Sequence, residues 1–214
     1  YCIFLQYLNS LMSKSDFDLN FQNRNIDGRI VAALERISQA FRVLLWQESK
    51  DFSLSPIQIQ VLIFLLHHSI DKCKVSYLAD EFNMTKATIS ETVKILEQKK
   101  LIQKVYEEFD NRSYSIQLTK SGQTIATETA LFSKEFHKPI AKLDDEEKEN
   151  MLLSLLNIIT HLNKTGVITI QRMCLTCTHH ELTENGENHF CKLLNRKLLT
   201  NELRIDCPEH VLKE

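Results

Sequence analysis

The sequence predicts a mainly α-helical protein carrying one short β hairpin, and three observations lead there. Apolar residues recur at spacings of three and four through most of the chain, the period of one helix face. Only 4 glycines and 3 prolines punctuate 214 residues, too few for the turns of a sandwich or barrel. After Lys100 the period changes to two, then returns to helical spacing. With 43% hydrophobic residues the chain can bury one ordinary core, plus a small appended unit that needs further support.

From Asp27 to Lys50, the residues Ile30, Val31, Leu34, Ile37, Phe41, Leu44 and Leu45 form one stripe of a long helix, which requires a partner surface. Ser55 and Pro56 read as N-cap and first helical position. The run Ile57, Ile59, Val61, Leu62, Phe64, Leu65, Leu66 that follows has almost no polar relief, so this helix is expected to be central and buried. Two further helical patterns, Ser76 to Phe82 and Thr85 to Lys99, are parted only by Asn83 and Met84, which makes a tight helix-turn-helix. Thr85 caps the second helix, whose inner face is Ile89, Val93 and Leu96. Its outer face, Lys86, Thr88, Ser90, Glu91, Lys94 and Gln98, is polar and partly basic.

Leu101 to Tyr106 and Ser113 to Leu118 alternate as strands around a polar turn, Glu107 to Arg112, giving a two-stranded wing. Thr119 caps a helix expected to run past Phe132 and Phe136 to Pro139. Asp144 to Glu147 put negative charge at the first turn of a last helix, where the macrodipole favours it, and Gly166 ends it.

At a net charge of −2 the whole chain carries no basic signature, so any nucleic-acid surface must come from local clustering. Residues 84–122 hold seven cations against five anions, a mild excess. On charge alone these residues read equally well as a solvated helix face and an ordinary hairpin tip. The apolar run Tyr1 to Leu5 is too short for a membrane span and lacks a basic leader, so a cytoplasmic protein without a membrane partner is expected. Met12 opens a polar stretch typical of a natural start, and residues 1–11 are set aside from the fold.

Three segments together resemble the MarR family of bacterial regulators over residues 27–165. Leu54-Ser55-Pro56-Ile57-Gln58 is similar to the opening of that family's second helix. Ser76 to Phe82 followed by Thr85 to Ser90 is similar to its helix-turn-helix. Asp110-Asn111-Arg112, then Leu118-Thr119-Lys120-Ser121-Gly122, is similar to its wing, a D-x-R tip and an L-T-x-x-G exit. The resemblance implies a non-enzymatic transcription regulator, usually a repressor. It also implies a homodimer with intertwined terminal helices, on a pseudo-palindromic double-stranded operator whose half-sites lie about 34 Å apart. Lys86, Thr88, Ser90 and Lys94 would meet the major groove next to Thr85, and Arg112 would enter the minor groove, its guanidinium oriented by Asp110. A small-molecule crevice would lie near Phe41, Trp46 and Phe64, although core packing is the commoner fate of such residues.

Two positions depart from the family pattern. Lys100 stands where a glycine usually ends the recognition helix, so it must either take the left-handed conformation or the turn is built differently. Glu91 stands where relatives are often basic; a carboxylate repels phosphate but can accept from cytosine N4.

Beyond Gly166 the resemblance stops, and Cys174, Cys177, Cys191 and Cys207 follow at C-x2-C-x13-C-x15-C spacing. Clustered cysteines in a cytosolic setting point to metal before disulfides. Thiolates two residues apart can bend toward one ion, and two distant ones can complete a tetrahedral site; zinc is expected, with an iron–sulfur cluster as the alternative and buried or free thiols without metal as the plainer reading. Such a site would be structural or would sense redox or metal state. Nearby His179, His180, His189 and His210 are left out of the ligand set. The organisation expected is thus a 1–26 extension, a 27–166 winged helix-turn-helix and dimerisation domain, and a 167–214 cysteine-rich metal module. Competing readings are a metal-dependent enzyme or a protein interaction module on the same scaffold. Against the first, no HExxH, phosphate loop or nucleophile elbow occurs in the sequence.

Overall fold

Side-chain caps visible in the sequence set the helix ends in the structure, a computed structural model that describes residues 15–107, 110–182 and 188–213. The chain divides into two compact units, one ending at Ser53 and one beginning at Leu54. In the first, α1 (Leu19–Gln22) is capped by Asp18, and α2 (Ile26–Asp51) by Asn25, whose side chain accepts from the Asp27 N–H. The expected stripe on α2 stays largely exposed at Ile30, Val31, Ile37 and Phe41.

The second unit begins at α3 (Pro56–His67), where Ser55 and Gln58 form a reciprocal capping box and Ile59, Val61, Leu62, Phe64 and Leu65 are buried, as their unbroken apolar run requires. Next come α4 (Val75–Glu81) and α5 (Lys86–Gln98), then an antiparallel hairpin of β1 (Ile102–Glu107) and β2 (Asp110–Leu118). The sequence places Asp110 to Arg112 in the turn, whereas β2 already begins at Asp110, so the D-x-R residues lie on the strand. Ile116 also donates its N–H to the Cys73 carbonyl, at 2.8 Å, which ties the wing to the segment before α4.

Helix α6 (Lys120–Thr129) is shorter than the sequence predicts. It passes into a 3-10 stretch, Ala130–Phe136, and a short α7 (His137–Ile140) that contains Pro139. Where the α ladder gives way, the buried Thr129 hydroxyl donates to the Ile125 carbonyl at 2.7 Å. A capping box of Asp144 and Glu147 opens α8 (Asp145–Lys164), and Gly166 closes it at φ +75 with the Val167 N–H on the Leu162 carbonyl. Among the described residues no helix is long and apolar enough to cross a membrane.

After α8 the cysteine segment folds around three short antiparallel strands in the order β3 (His180–Leu182), β4 (His189–Cys191), β5 (Arg196–Leu198), which helical periodicity did not announce. It shares a small buried core with α8, made of Leu156, Met173, Leu198 and Leu203.

Lys100 takes the left-handed option, at φ 59. Its N–H bonds the Glu97 carbonyl at 2.8 Å and that of Leu101 bonds the Leu96 carbonyl at 3.0 Å, a Schellman closure made without glycine. A Cβ in this conformation costs about 1 kcal/mol, so Lys100→Gly is expected to stabilise the protein by roughly that amount. A thermal midpoint that stays put or falls would contradict this.

Candidate nucleic-acid interface

One side of α5 is anchored and the other is offered to solvent. Ile89, Thr92, Val93 and Leu96 are buried, while Lys86, Thr88, Ser90, Glu91 and Lys94 are all exposed. Thr85 accepts from the Thr88 N–H at 3.1 Å and shares a hydrogen bond with the Thr88 hydroxyl at 2.8 Å, so it fixes the start of the helix rather than projecting from it. Glu91 stands 3.6 Å from Lys94 and offsets one of the helix cations. Lys104 on β1 is turned inward onto Glu97 at 2.7 Å and is mostly buried, which removes one of the seven cations from the outer face. Asp110 and Arg112 lie on β2, but their side chains fall outside the described residues.

The T-x-x-G exit of the wing has a mechanical role. Thr119 donates its hydroxyl to the Lys100 carbonyl at 2.8 Å, accepts from the Gly122 N–H at 3.1 Å, and bonds its own N–H to the Leu101 carbonyl at 3.0 Å. Gly122 packs so closely on Leu101 that a Cβ there would meet the carbonyl oxygen at 1.9 Å. The end of α5, the base of the wing and the start of α6 are thereby held as one piece.

The four cysteines lie on separate parts of the C-terminal segment. Cys174 and Cys177 bracket a 3-10 turn closed by the Cys177 N–H on the Cys174 carbonyl at 3.0 Å; Cys191 ends β4. Arg204 donates its backbone N–H to Cys174 Sγ at 3.2 Å, and its guanidinium lies 3.5 Å from Cys207 Sγ. Burial pushes the Cys174 thiol up, the Arg204 N–H opposes this, and the charges of Cys207, Cys177 and Cys191 add to the rise. Among the described residues no three His, Cys, Asp or Glu side chains stand at the separations of a metal-holding group. Four thiols are the donor type a thiophilic ion takes, but as placed here, with the Arg204 guanidinium beside Cys207, they do not form a site that fits one.

Three of the four histidines are engaged otherwise. His180 Nε2 lies 2.8 Å from His189 Nδ1, and His210 Nε2 lies 3.0 Å from the Thr176 hydroxyl. Burial foremost, with the nearby Lys213 and His189, lowers the pKa of His180 to about 4, so it is neutral at pH 7.

A side-chain cluster that the sequence reading missed centres on Arg172, whose side chain is 9% exposed. Its Nε and Nη2 donate to the two oxygens of Asp206 at 2.6 and 2.8 Å. Nη1 and Nη2 donate to the two oxygens of Glu81 at 2.6 and 3.2 Å, and Nη1 also reaches the Tyr77 hydroxyl at 2.9 Å. All five guanidinium N–H groups are therefore used, four in paired forks to two carboxylates and the fifth on the Tyr77 hydroxyl. His68 Nε2 adds a 2.8 Å contact to Asp206 Oδ2, and its ring stacks on Phe64 at 3.7 Å. Arg172 is the main reason that the Asp206 carboxyl is held down to about 2. Sequence separations of 91 and 34 residues hid these pairs; the available signal was one arginine inside the apolar run Val167 to Met173.

The expected ligand crevice resolves residue by residue. Phe64 is buried in α3, whereas Phe41 and Trp46 are exposed on α2, where Lys50 Nζ sits 3.5 Å above the Trp46 ring.

Residues 52–113, from just before α3 into the wing, match the model of the MarR family. No curated protein matches the chain. Among solved structures, Staphylococcus aureus MepR in its DNA-binding conformation is similar at 26% identity and a TM-score of 0.55, covering 62% of this chain and 98% of MepR. A MepR–DNA complex from the same organism is similar at 26% identity and TM-score 0.54, over 62% of this chain and 97% of that one. A MarR/EmrR family regulator from Acinetobacter sp. ADP1, at 23% identity and TM-score 0.53 over 65% and 99% of the two chains, shares the fold. This chain therefore carries length that those neighbours lack. Over residues 52–113, and in the fold of the region it shares with those neighbours, the chain is similar to the MarR family of transcriptional regulators.

Proposed function

We propose that the protein is a sequence-specific DNA-binding transcription regulator that acts as a homodimer on a pseudo-palindromic operator and represses by occlusion. The observation that carries this reading is the asymmetry of α5. It buries Ile89, Val93 and Leu96 and exposes Lys86, Thr88, Ser90, Glu91 and Lys94, in a chain similar to a MepR solved with DNA. Lys86 and Lys94 supply phosphate or guanine contacts, and Thr88, Ser90 and Glu91 read base edges. Arg112 on the wing serves the minor groove, oriented by Asp110. The exposed apolar stripe of α2 supports dimerisation, because isolated chains rarely leave Ile30, Val31, Ile37 and Phe41 together in water. The spacing of Cys174, Cys177, Cys191 and Cys207 supports zinc, which the placing of the thiols described above does not fit.

Binding to a duplex selected from a random library, followed across salt concentrations, tests the interface. Lys86→Ala and Arg112→Ala are each expected to weaken binding and to flatten the slope of log affinity against log salt by about 0.9. Unchanged affinity and slope in both variants would remove these residues from DNA contact. For the thiols, elemental analysis of protein purified without oxygen is the test: stoichiometric zinc without visible absorbance would follow the spacing, and metal-free protein the placing. Iron and sulfide with a broad visible band would replace zinc by a cluster.

A further inference from the structure

Arg172 lies beyond Gly166, outside the segments that resemble the family, yet half of its hydrogen bonding is directed at the helix-turn-helix. The other half fixes it in place. Residues 172 and 206 pair as an isolated β-bridge, and the Cys207 N–H bonds the Arg172 carbonyl at 2.8 Å, so Arg172 and Asp206 are held together by their own backbone. The Cys174 N–H continues this pairing to the Arg204 carbonyl at 3.0 Å. Asp206 then takes Nε and Nη2 as one fork, which sets the plane of the guanidinium and leaves Nη1 directed at α4.

On α4, Tyr77 and Glu81 stand one turn apart on the same face, and both accept from the guanidinium. At seven residues this helix is too short to persist by propensity, and no side chain caps its start at Lys74. Its position therefore depends on what it packs against. It buries Leu78 and Ala79, its last turn is held by Arg172, and the Thr169 hydroxyl donates to its Asp80 carbonyl. The Phe64 ring of α3 lies 5.7 Å from the same guanidinium, so α3, α4 and the C-terminal segment meet at one side chain. The turn from α4 to α5 is closed by the Met84 N–H on the Ala79 carbonyl at 2.8 Å, with Asn83 in the left-handed conformation at φ 51. A turn bonded in this way passes a shift of α4 on to the first residues of α5. The forks make the placement of α4 exact, because a carboxylate displaced by about 1 Å loses one of its paired bonds.

We infer that Arg172 is a positioning residue for DNA reading: anchored by Asp206, it sets the place of α4 through Glu81 and Tyr77, and with it the angle at which α5 meets the duplex. This rests on the DNA-binding reading above. Arg172 itself touches no phosphate, since its side chain is 9% exposed and every N–H is engaged within the protein. The C-terminal segment is thereby part of the DNA-reading unit, through protein contacts alone.

Arg172→Lys keeps the charge and gives up the forks, because an ammonium is a point charge without a planar pair of donors. In full-length protein that circular dichroism shows to be folded, it should weaken binding to the selected duplex by about fivefold or more and speed amide hydrogen exchange in residues 75–81. Glu81→Gln should do the same, and the two changes together should weaken binding by less than the product of their separate effects. Arg172→Met, which removes the charge, should weaken binding with the slope of log affinity against log salt unchanged. A purely structural role would lower stability and leave the affinity of folded protein as it was. Parent affinity in folded Arg172→Lys and Glu81→Gln would therefore overturn the inference, as would parent exchange rates in α4. A slope flattened by about 0.9 in Arg172→Met would overturn it as well, by placing the guanidinium on a phosphate. Failure of the parent protein to bind any duplex would instead refute the DNA-binding reading, and exchange in α4 would then decide whether Arg172 holds that helix.

Discussion

Gly122→Ala is expected to destabilise the protein by about 3 kcal/mol, the upper end of the cost of overpacking. The added Cβ would lie 1.9 Å from the Leu101 oxygen and 2.9 Å from its carbonyl carbon, both main-chain atoms that no rotamer change can move. That carbonyl is also fixed by the Thr119 N–H at 3.0 Å, so relief would require parting α6 from the end of α5. Ser121→Ala, one residue earlier and exposed, is the control and should change stability by no more than about 0.5 kcal/mol. Denaturant unfolding checks both. A Gly122→Ala protein as stable as the parent would show that this close approach is absent.

Arg172→Ala should cost about 3 kcal/mol, the lower end of the range for breaking a buried ion pair, because Asp206 keeps 40% of its side chain exposed and recovers some hydration. The larger part of the loss comes from Glu81, 19% exposed, which would be left without its cation. Removing Arg172 and Glu81 together should therefore cost less than the sum of the single changes, and a double-mutant cycle measures the difference. Additive effects would mean that the two side chains do not stabilise one another. The expected loss also reports a contact between the cysteine segment and α4, so it should appear in the cooperative unfolding of the whole second unit.

Capping and periodicity made most of the fold legible. Ser55 with Pro56, Thr85, Thr119 and Asp144 each caps the helix whose start it marks, because a short side-chain acceptor before an apolar-periodic run satisfies an orphan N–H wherever it occurs. The buried and exposed faces of α5 followed from 3.6-residue spacing alone. What periodicity did not convey came from single side-chain bonds, very short elements and contacts distant in sequence. The 3-10 continuation follows the bond of the buried Thr129 hydroxyl to the Ile125 carbonyl, and β3 to β5 are too short for a two-residue period to emerge. Lys100 was legible as a problem, and its left-handed answer could be chosen only with the Leu101 to Leu96 bond in view. In the candidate interface the exposed set on α5 was readable, whereas Lys104 looked equally available until Glu97 was found against it. Arg172 was invisible as a cluster because charge pairs across 91 residues leave no spacing to read.

The central claim is that α5 and the wing read double-stranded DNA. Selection of bound duplexes from a random double-stranded library, followed by sequencing, tests it most directly. The account predicts enrichment of a pseudo-palindrome with half-sites about one helical turn apart, and loss of that enrichment when Lys86 and Lys94 are both replaced by alanine. A library that emerges with no enriched sequence, or one enriched identically by the double variant, would contradict it.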